Sequence, residues 1–205
     1  GVHPSGLIFE NANGCHIQNS IANNFDHYPF EFKDFSRYST IDSCVVMNCG
    51  QGFFLGGDSS AIQNYYCRFI QMNNVMAINC AHGMYCGTAQ AITINNYICY
   101  PGSNTVDEIN LNNSQDVMIS NPILILQEGV TGIVIQTGRR ISVVNADIDD
   151  VSSETFNATG DVRNVSVVVG ATTKTALDDT GLSGVNGYSL AVLPLAKWYG
   201  TNQWE

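Results

Sequence analysis

The chain has 205 residues and a mass of 22.2 kDa, about one domain and long enough to bury a core. It is 44% hydrophobic but only 13% charged, and eight Lys+Arg against 18 Asp+Glu leave a net charge of −10. Such a balance argues against nucleic acid as a partner, no basic run could hold an anionic membrane surface, and apolar runs such as "PILIL" and "VSVVV" are too short to span a bilayer.

The chain opens at "GVHPSG" with no Met, signal peptide or targeting tail, and is expected to be a fragment or processed product with a part upstream. From there one word recurs, apolar–x–Asn–x–apolar: "IQNSI" at Asn19, "DSCV" at Ser43, "MNNVM" at Asn74, "INNYI" at Asn96, "ISNPI" at Asn121 and "VVNAD" at Asn145. The successive shifts are 24, 31, 22, 25 and 24 residues. A second word follows the first three copies: "NNFDHYPFEF", "NCGQGFFLGG" and "NCAHGMYCGT". It sets Asn23, Asn48 and Asn79 in correspondence, and likewise Phe30, Leu55 and Cys86. Cys49 and Cys80, Gly52 and Gly83, and Gly56 and Gly87 also match.

A period of 22–31 residues is that of a solenoid. Within each period the segments "FEFKDF", "AITIN", "DVMIS", "GIVIQ" and "RISVVN" alternate apolar and polar residues. That predicts strands of about 3–6 residues, and no sustained helical stripe competes. Three strands and three turns per period predict an all-β, right-handed parallel β-helix of about 6–7 coils over residues 1–170, with stacked side chains about 4.8 Å apart. The Asn is expected to form a buried hydrogen-bonded ladder, the Cys to fill the stack, and the Gly to turn the corner. "RNVSVVVG" is the expected last strand, and the apolar tail 171–205 is expected to cap the core or pack on another subunit.

The seven Cys lie mostly within apolar alternation and show no CxxC or zinc spacing, so reduced thiols made in a reducing cytosol are expected. The four His share no metal-ligand spacing, and no cofactor is expected.

An Asn-rich β-helix with reduced Cys and an acidic surface resembles bacteriophage tailspikes and related tail-fibre receptor-binding proteins, over about residues 6–170. It is similar, less closely, to the wider pectin-lyase-like group. The resemblance implies a homotrimer of side-by-side β-helices in a virion tail, joined to an upstream part of the same virion protein. It also implies binding of a bacterial surface polysaccharide, a capsule or O-antigen, often with cleavage. An enzyme of this kind implies carboxylates on the outer strand face or between subunits, with a pair about 5–5.5 Å apart for retention or 6.5–9.5 Å for inversion.

Three clusters offer such carboxylates. In "NFDHYPFEFKDF", inward Phe30 and Phe32 would leave Glu31 and Lys33 outward, with Asp26, His27 and Tyr28 in the adjoining turn. Stacking is expected to align Asp26, Gln51 and His82, and to set Lys33 beside Asp58. In "NADIDDVSSE", inward Ile148 would put Asp147 and Asp149 on one face, about 6.6–7 Å apart. These could be an inverting pair, or ligate calcium with Asp150 and Glu154. Asp42, Asp58 and Arg37 form a third. Asp107 and Glu108 follow a loop that could line a groove, and Tyr65, Tyr66, Tyr97 and Tyr100 could stack on sugar rings. Binding with or without glycosidase activity ranks ahead of a lyase or epimerase acting on uronates, because an anionic polymer would be repelled and only Arg139 and Arg140 are clustered.

Overall fold

In a computed structural model, residues 6–57, 66–149, 156–159, 162–172 and 189–192 are described. They form an all-β parallel solenoid of about six coils, with no helix among them. The first coil contributes β1 (Leu7–Glu10), β2 (His16–Gln18) and β3 (Ile21–Asn23), and the second β4 (Phe30–Lys33), β5 (Arg37–Asp42) and β6 (Val45–Met47). The third adds β7 (Phe53–Gly56), β8 (Cys67–Asn73) and β9 (Met76–Ile78), and the fourth β10 (His82–Gly87), β11 (Ala89–Asn95) and β12 (Ile98–Tyr100). Higher up the strands fuse across corners, as β13 (Asp107–Ser120), β14 (Ile123–Ile125) and β15 (Thr131–Asp149), followed by β16 (Phe156–Ala158), β17 (Val162–Thr172) and β18 (Ser189–Val192). Every pairing is parallel and joins a strand to its counterpart one coil away, which generates three sheets around one core.

The core is a set of vertical stacks. Phe30, Phe53, Met84, Ile109 and Ile133 lie over one another on the first sheet, and Phe32, Leu55, Cys86, Leu111 and Ile135 beside them. All are at most 3% exposed. The expected match of Phe30 with Leu55 and Cys86 is therefore corrected: those two stack on Phe32. Asn23 pairs with Met47 rather than Asn48, and the turn after β3 (24–29) has six residues where the one after β6 (48–52) has five, so the register is shifted by two residues in all. The cysteines are free, and all but Cys15 are buried, as expected of small apolar fillers.

The first repeated word marks a corner. Asn19, Ser43, Asn74, Asn96, Asn121 and Asn145 all have left-handed backbone with φ of 51–55°. Asn tolerates this conformation best among residues with a side chain, because its amide bonds locally. The side chains form the expected ladder: Asn96 Nδ2 donates to Asn74 Oδ1 at 2.9 Å, Asn121 to Asn96 at 3.2 Å, and Asn145 to Asn121 at 2.8 Å. The ladder is exposed, however, rather than buried, because the corner points these side chains away from the axis. At the next corner Asn79 Nδ2 donates to Asn48 and Asn48 to Asn23. There the left-handed residue of the early coil is Asn24, one along, because of the longer turn. After Ser43, Asn48 and Asn79 the next residue is a buried Cys, and Cys44, Cys49 and Cys80 donate S–H to the carbonyl two residues back.

The recurring glycines have another cause. None of Gly52, Gly56, Gly83 and Gly87 has positive φ. A Cβ on Gly52 would collide with the carbonyl of Gly83 in the next coil, and one on Gly56 with that of Gly87. Gly52 and Gly56 recur because coils approach closely there, Gly83 leaves room for the Tyr97 hydroxyl and Gly87 for the Tyr85 ring, and the corners are left to Asn.

The C-terminal expectation is extended. "RNVSVVVG" lies in β17, but β18 pairs on it in parallel through Ser166–Ser189 to Val169–Val192, so a further rung follows. The remaining part of the tail lies outside the described residues.

Asn96→Ala should lower stability by about 1–2 kcal/mol, combining left-handed strain with two lost side-chain hydrogen bonds. Asn96→Gly should recover the backbone share, and urea unfolding of both variants separates the two contributions.

Candidate functional site

With Phe30 and Phe32 inward, the alternate residues of the first sheet form an outer stripe: Ile8, Glu31, Phe54, Tyr85, Asn110 and Val134. Glu31 is on the outer face as expected, yet only 7% exposed, covered by Ile8 below and Phe54 above. Burial raises its pKa, opposed by the Lys33 ammonium. Aromatic rings run along the stripe. His27 meets Tyr28 edge-on at 4.3 Å, Tyr28 lies 4.4 Å from Phe54, and Phe54 stacks on Tyr85 at 5.7 Å with 3° between planes. Asn112 Nδ2 donates to the Tyr85 hydroxyl at 3.0 Å, which fixes the last ring.

Beside the rings a polar stack crosses four coils. Register places Tyr28, Gln51, His82 and Asp107 over one another. His82 Nδ1 lies 2.9 Å from Asp107 Oδ1, and Asn110 Nδ2 donates to Asp107 Oδ2 at 3.0 Å. Both carboxylate oxygens of Asp107, which is 3% exposed, are thus engaged. The bond to Asp107 raises the His82 pKa against the opposing effect of burial, favouring the imidazolium. Chemically, His82 is a proton donor oriented by a carboxylate, with Nε2 the nitrogen that Asp107 does not use. Burial also raises the Tyr28 phenol, keeping it a neutral donor.

The next residue does the opposite. Glu108 is 0% exposed, and neither carboxyl oxygen has a protein hydrogen-bond partner. Its backbone carbonyl accepts from the buried Tyr97 hydroxyl at 3.0 Å. A Cβ on Gly83, one coil below, would strike that hydroxyl, so glycine makes the room. Burial lifts the Glu108 carboxyl to about 9, so it is protonated at neutral pH. Gln51 Oε1 and Asn110 Oδ1 are two more buried acceptors without a protein donor on this side of the fold.

The other expected residues fall elsewhere. Asp26 does not stack with Gln51 and His82: it is exposed beneath Gly50, and Tyr28, two residues on, takes its place, by the same two-residue shift. It lines a separate recess of 330 Å³ with Phe25, Asn48, Cys49 and Asn79. Lys33 pairs in register with Gly56 and lies 3.9 Å from Glu10, an exposed ion pair worth little. Asp58, Tyr65, Asp150 and Glu154 lie outside the described residues, as does the side chain of Asp149. Ile148 is buried and Asp147 exposed, as expected. Arg37 donates to the Phe35 carbonyl and Asp42 accepts from Asn74, so those two do not form a cluster. Tyr66 is no open platform: its hydroxyl accepts from Gln115 Nε2 at 2.9 Å and its ring lies under the Arg68 guanidinium. Tyr97 belongs to the core, and Tyr100 is 42% exposed.

Phe54 and Tyr85 were not singled out in the sequence, although they occupy the same place in "GFFLGG" and "GMYCGT". Asp107 follows a loop and joins His82 only through coil register. Among the described residues no group of three or more His, Cys, Asp or Glu is placed to hold a metal ion. No protein-family model matches the chain, and no curated protein matches it either.

Glu108 makes stability depend on pH. Its folded pKa lies above its unfolded one, so its contribution is full below about 4.5 and declines as pH rises towards about 9. The slope attributable to it is at most ~1.4 kcal/mol per pH unit. Wild-type melting temperature should fall across this window and that of Glu108→Gln should fall less; parallel curves would show that Glu108 ionises freely in the fold.

Proposed function

We propose that this chain is a domain of the tailspike or tail-fibre type, which binds a bacterial surface polysaccharide along the outer face of its first sheet. In this reading it works as a homotrimer in the virion tail, attached to an upstream part of the same protein, and recognises a capsule or O-antigen on the host. The observation that carries the binding reading is the run of Tyr28, Phe54 and Tyr85 beside the His82–Asp107 pair. Stacked rings offer apolar faces to pyranose C–H groups, and the flanking imidazole, phenol and amide groups suit sugar hydroxyls. With coils about 4.8 Å apart, the three rings span about 10 Å, a length suited to a chain of sugars rather than a single small molecule. The acidic surface favours neutral or amino sugars over uronates.

Retention ranks ahead of cleavage because both oxygens of Asp107 are already engaged. If the glycan is cut, Glu31 is the candidate proton donor, since its raised pKa keeps it protonated to a higher pH than an exposed carboxyl.

The test is incubation of the chain with a panel of capsules and O-antigens, following retention, new reducing ends and the absorbance of unsaturated uronates. Retention of one glycan, weakened about tenfold by Tyr85→Ala, is expected. Reducing ends that vanish in Glu31→Gln would add hydrolysis to the reading. Uronate absorbance would replace it with a lyase, and retention of none would overturn it.

A further inference from the structure

The second sheet carries a bend in mid-strand at every coil. Gly14, Tyr38, Phe69, Ala91, Asp116, Arg140 and Asn164 lie over one another, all with φ between 54° and 72°. Gly and Asn suit this left-handed conformation, and bulky Tyr and Phe do not. Burial does not explain the two rings either, because Tyr38 is 59% exposed and Phe69 48%. They stack on one another at 5.0 Å with 1° between planes. Backbone preference and solvation both oppose aromatics at these positions, and strained outliers of this kind gather at functional sites.

The stack stops at Ala91, which has no ring to continue it. One coil beyond Ala91 stands Asp116, held by Arg140 Nε at 2.5 Å and Arg140 Nη2 at 2.8 Å, with Gln90 Nε2 at 3.4 Å. The space between is a recess of 280 Å³ lined by Phe69, Gln71, Ala91, Thr93, Asp116 and Met118. Two coil steps separate the Phe69 and Asp116 positions by about 10 Å, enough for one ring in stacking contact and a hydrogen bond beyond it.

We propose that this recess is a binding slot for one pyranose ring, which stacks its C–H face on Phe69 and donates hydroxyl protons to Asp116. Gln71 and Thr93 line the same wall and supply further polar partners for ring hydroxyls. A phosphate-bearing ring is disfavoured by the carboxylate and by the net charge of −10. The slot is on a different sheet from Tyr28, Phe54 and Tyr85, so it extends the polysaccharide reading but is tested apart from it.

The experiment is saturation-transfer NMR on the full chain with methyl pyranosides of the gluco, galacto, rhamno and N-acetylgluco series. Transfer to the ring protons of at least one sugar is expected. It should drop several-fold in Phe69→Asn and in Ala91→Phe, which fills the slot, and persist in Tyr85→Ala. Phe69→Asn should melt at the wild-type temperature or above, since Asn accepts this backbone more readily. A clear fall in its melting temperature would overturn the proposal by making the ring a structural prop. So would the absence of transfer to every sugar, or transfer unchanged by Ala91→Phe. Polysaccharide retained while no methyl pyranoside responds would remove the slot and leave the first-sheet site standing.

Discussion

Parallel backbone hydrogen bonds in strict coil-to-coil register are the constraint on which the other features depend. A residue in this fold has little freedom to choose its neighbours, because the same position of the next coil lies about 4.8 Å above it. The interior must therefore be solved as columns, such as Phe32, Leu55, Cys86, Leu111 and Ile135, whose members bury one another. Corners are solved as columns too. A left-handed residue in one coil requires one in the next, and Asn meets that need while passing an amide hydrogen bond along the column. Gly52 and Gly56 show the same constraint from the side of space, since a Cβ would enter the backbone of the coil above.

The register that aligns the core also assembles the outer face. Phe54 and Tyr85 are 31 residues apart in the chain and stack because Leu55 and Cys86 stack beneath them. His82 and Asp107 meet for the same reason. Two neighbouring acids then meet opposite surroundings by position alone. Asp107 reaches the imidazole and an amide, whereas Glu108 is buried without a partner and keeps its proton. A buried, unpaired carboxyl weakens the stack it occupies, and it does so directly behind the His82–Asp107 pair.

The architecture was legible because periodicity is a property of the sequence itself. All six copies of the first word fell on left-handed corners, Ser43 included, although that copy lacks the Asn. The alternation in "FEFKDF" also set Phe30 and Phe32 inward and Glu31 outward correctly. Register at single-residue precision was not legible. The turn 24–29 holds one residue more than 48–52, and nothing in "NNFDHYPF" marks which residue is extra. That residue, together with the one-residue offset that already pairs Asn23 with Met47 rather than Asn48, moved Phe30 two places off Leu55 and put Tyr28 instead of Asp26 below Gln51. Site residues suffer most from such a slip, because a core position accepts any apolar neighbour whereas a hydrogen bond needs one particular partner. The engagement of Tyr66 with Gln115, 49 residues away, was hidden for the same reason.

A solenoid supplies its own standard for what each position requires, since the other members of a column share its backbone and its surroundings. On the second-sheet bend, Gly14 and Asn164 are what the conformation asks for, and the column folds with them. Tyr38 and Phe69 add about 1 kcal/mol of strain each and leave their rings in water. Neither the bend nor the core needs them, because Ala91 occupies the same conformation with a single methyl group. Where a column departs from its own pattern against both backbone preference and burial, the cause lies outside the fold, in what approaches that face from solution.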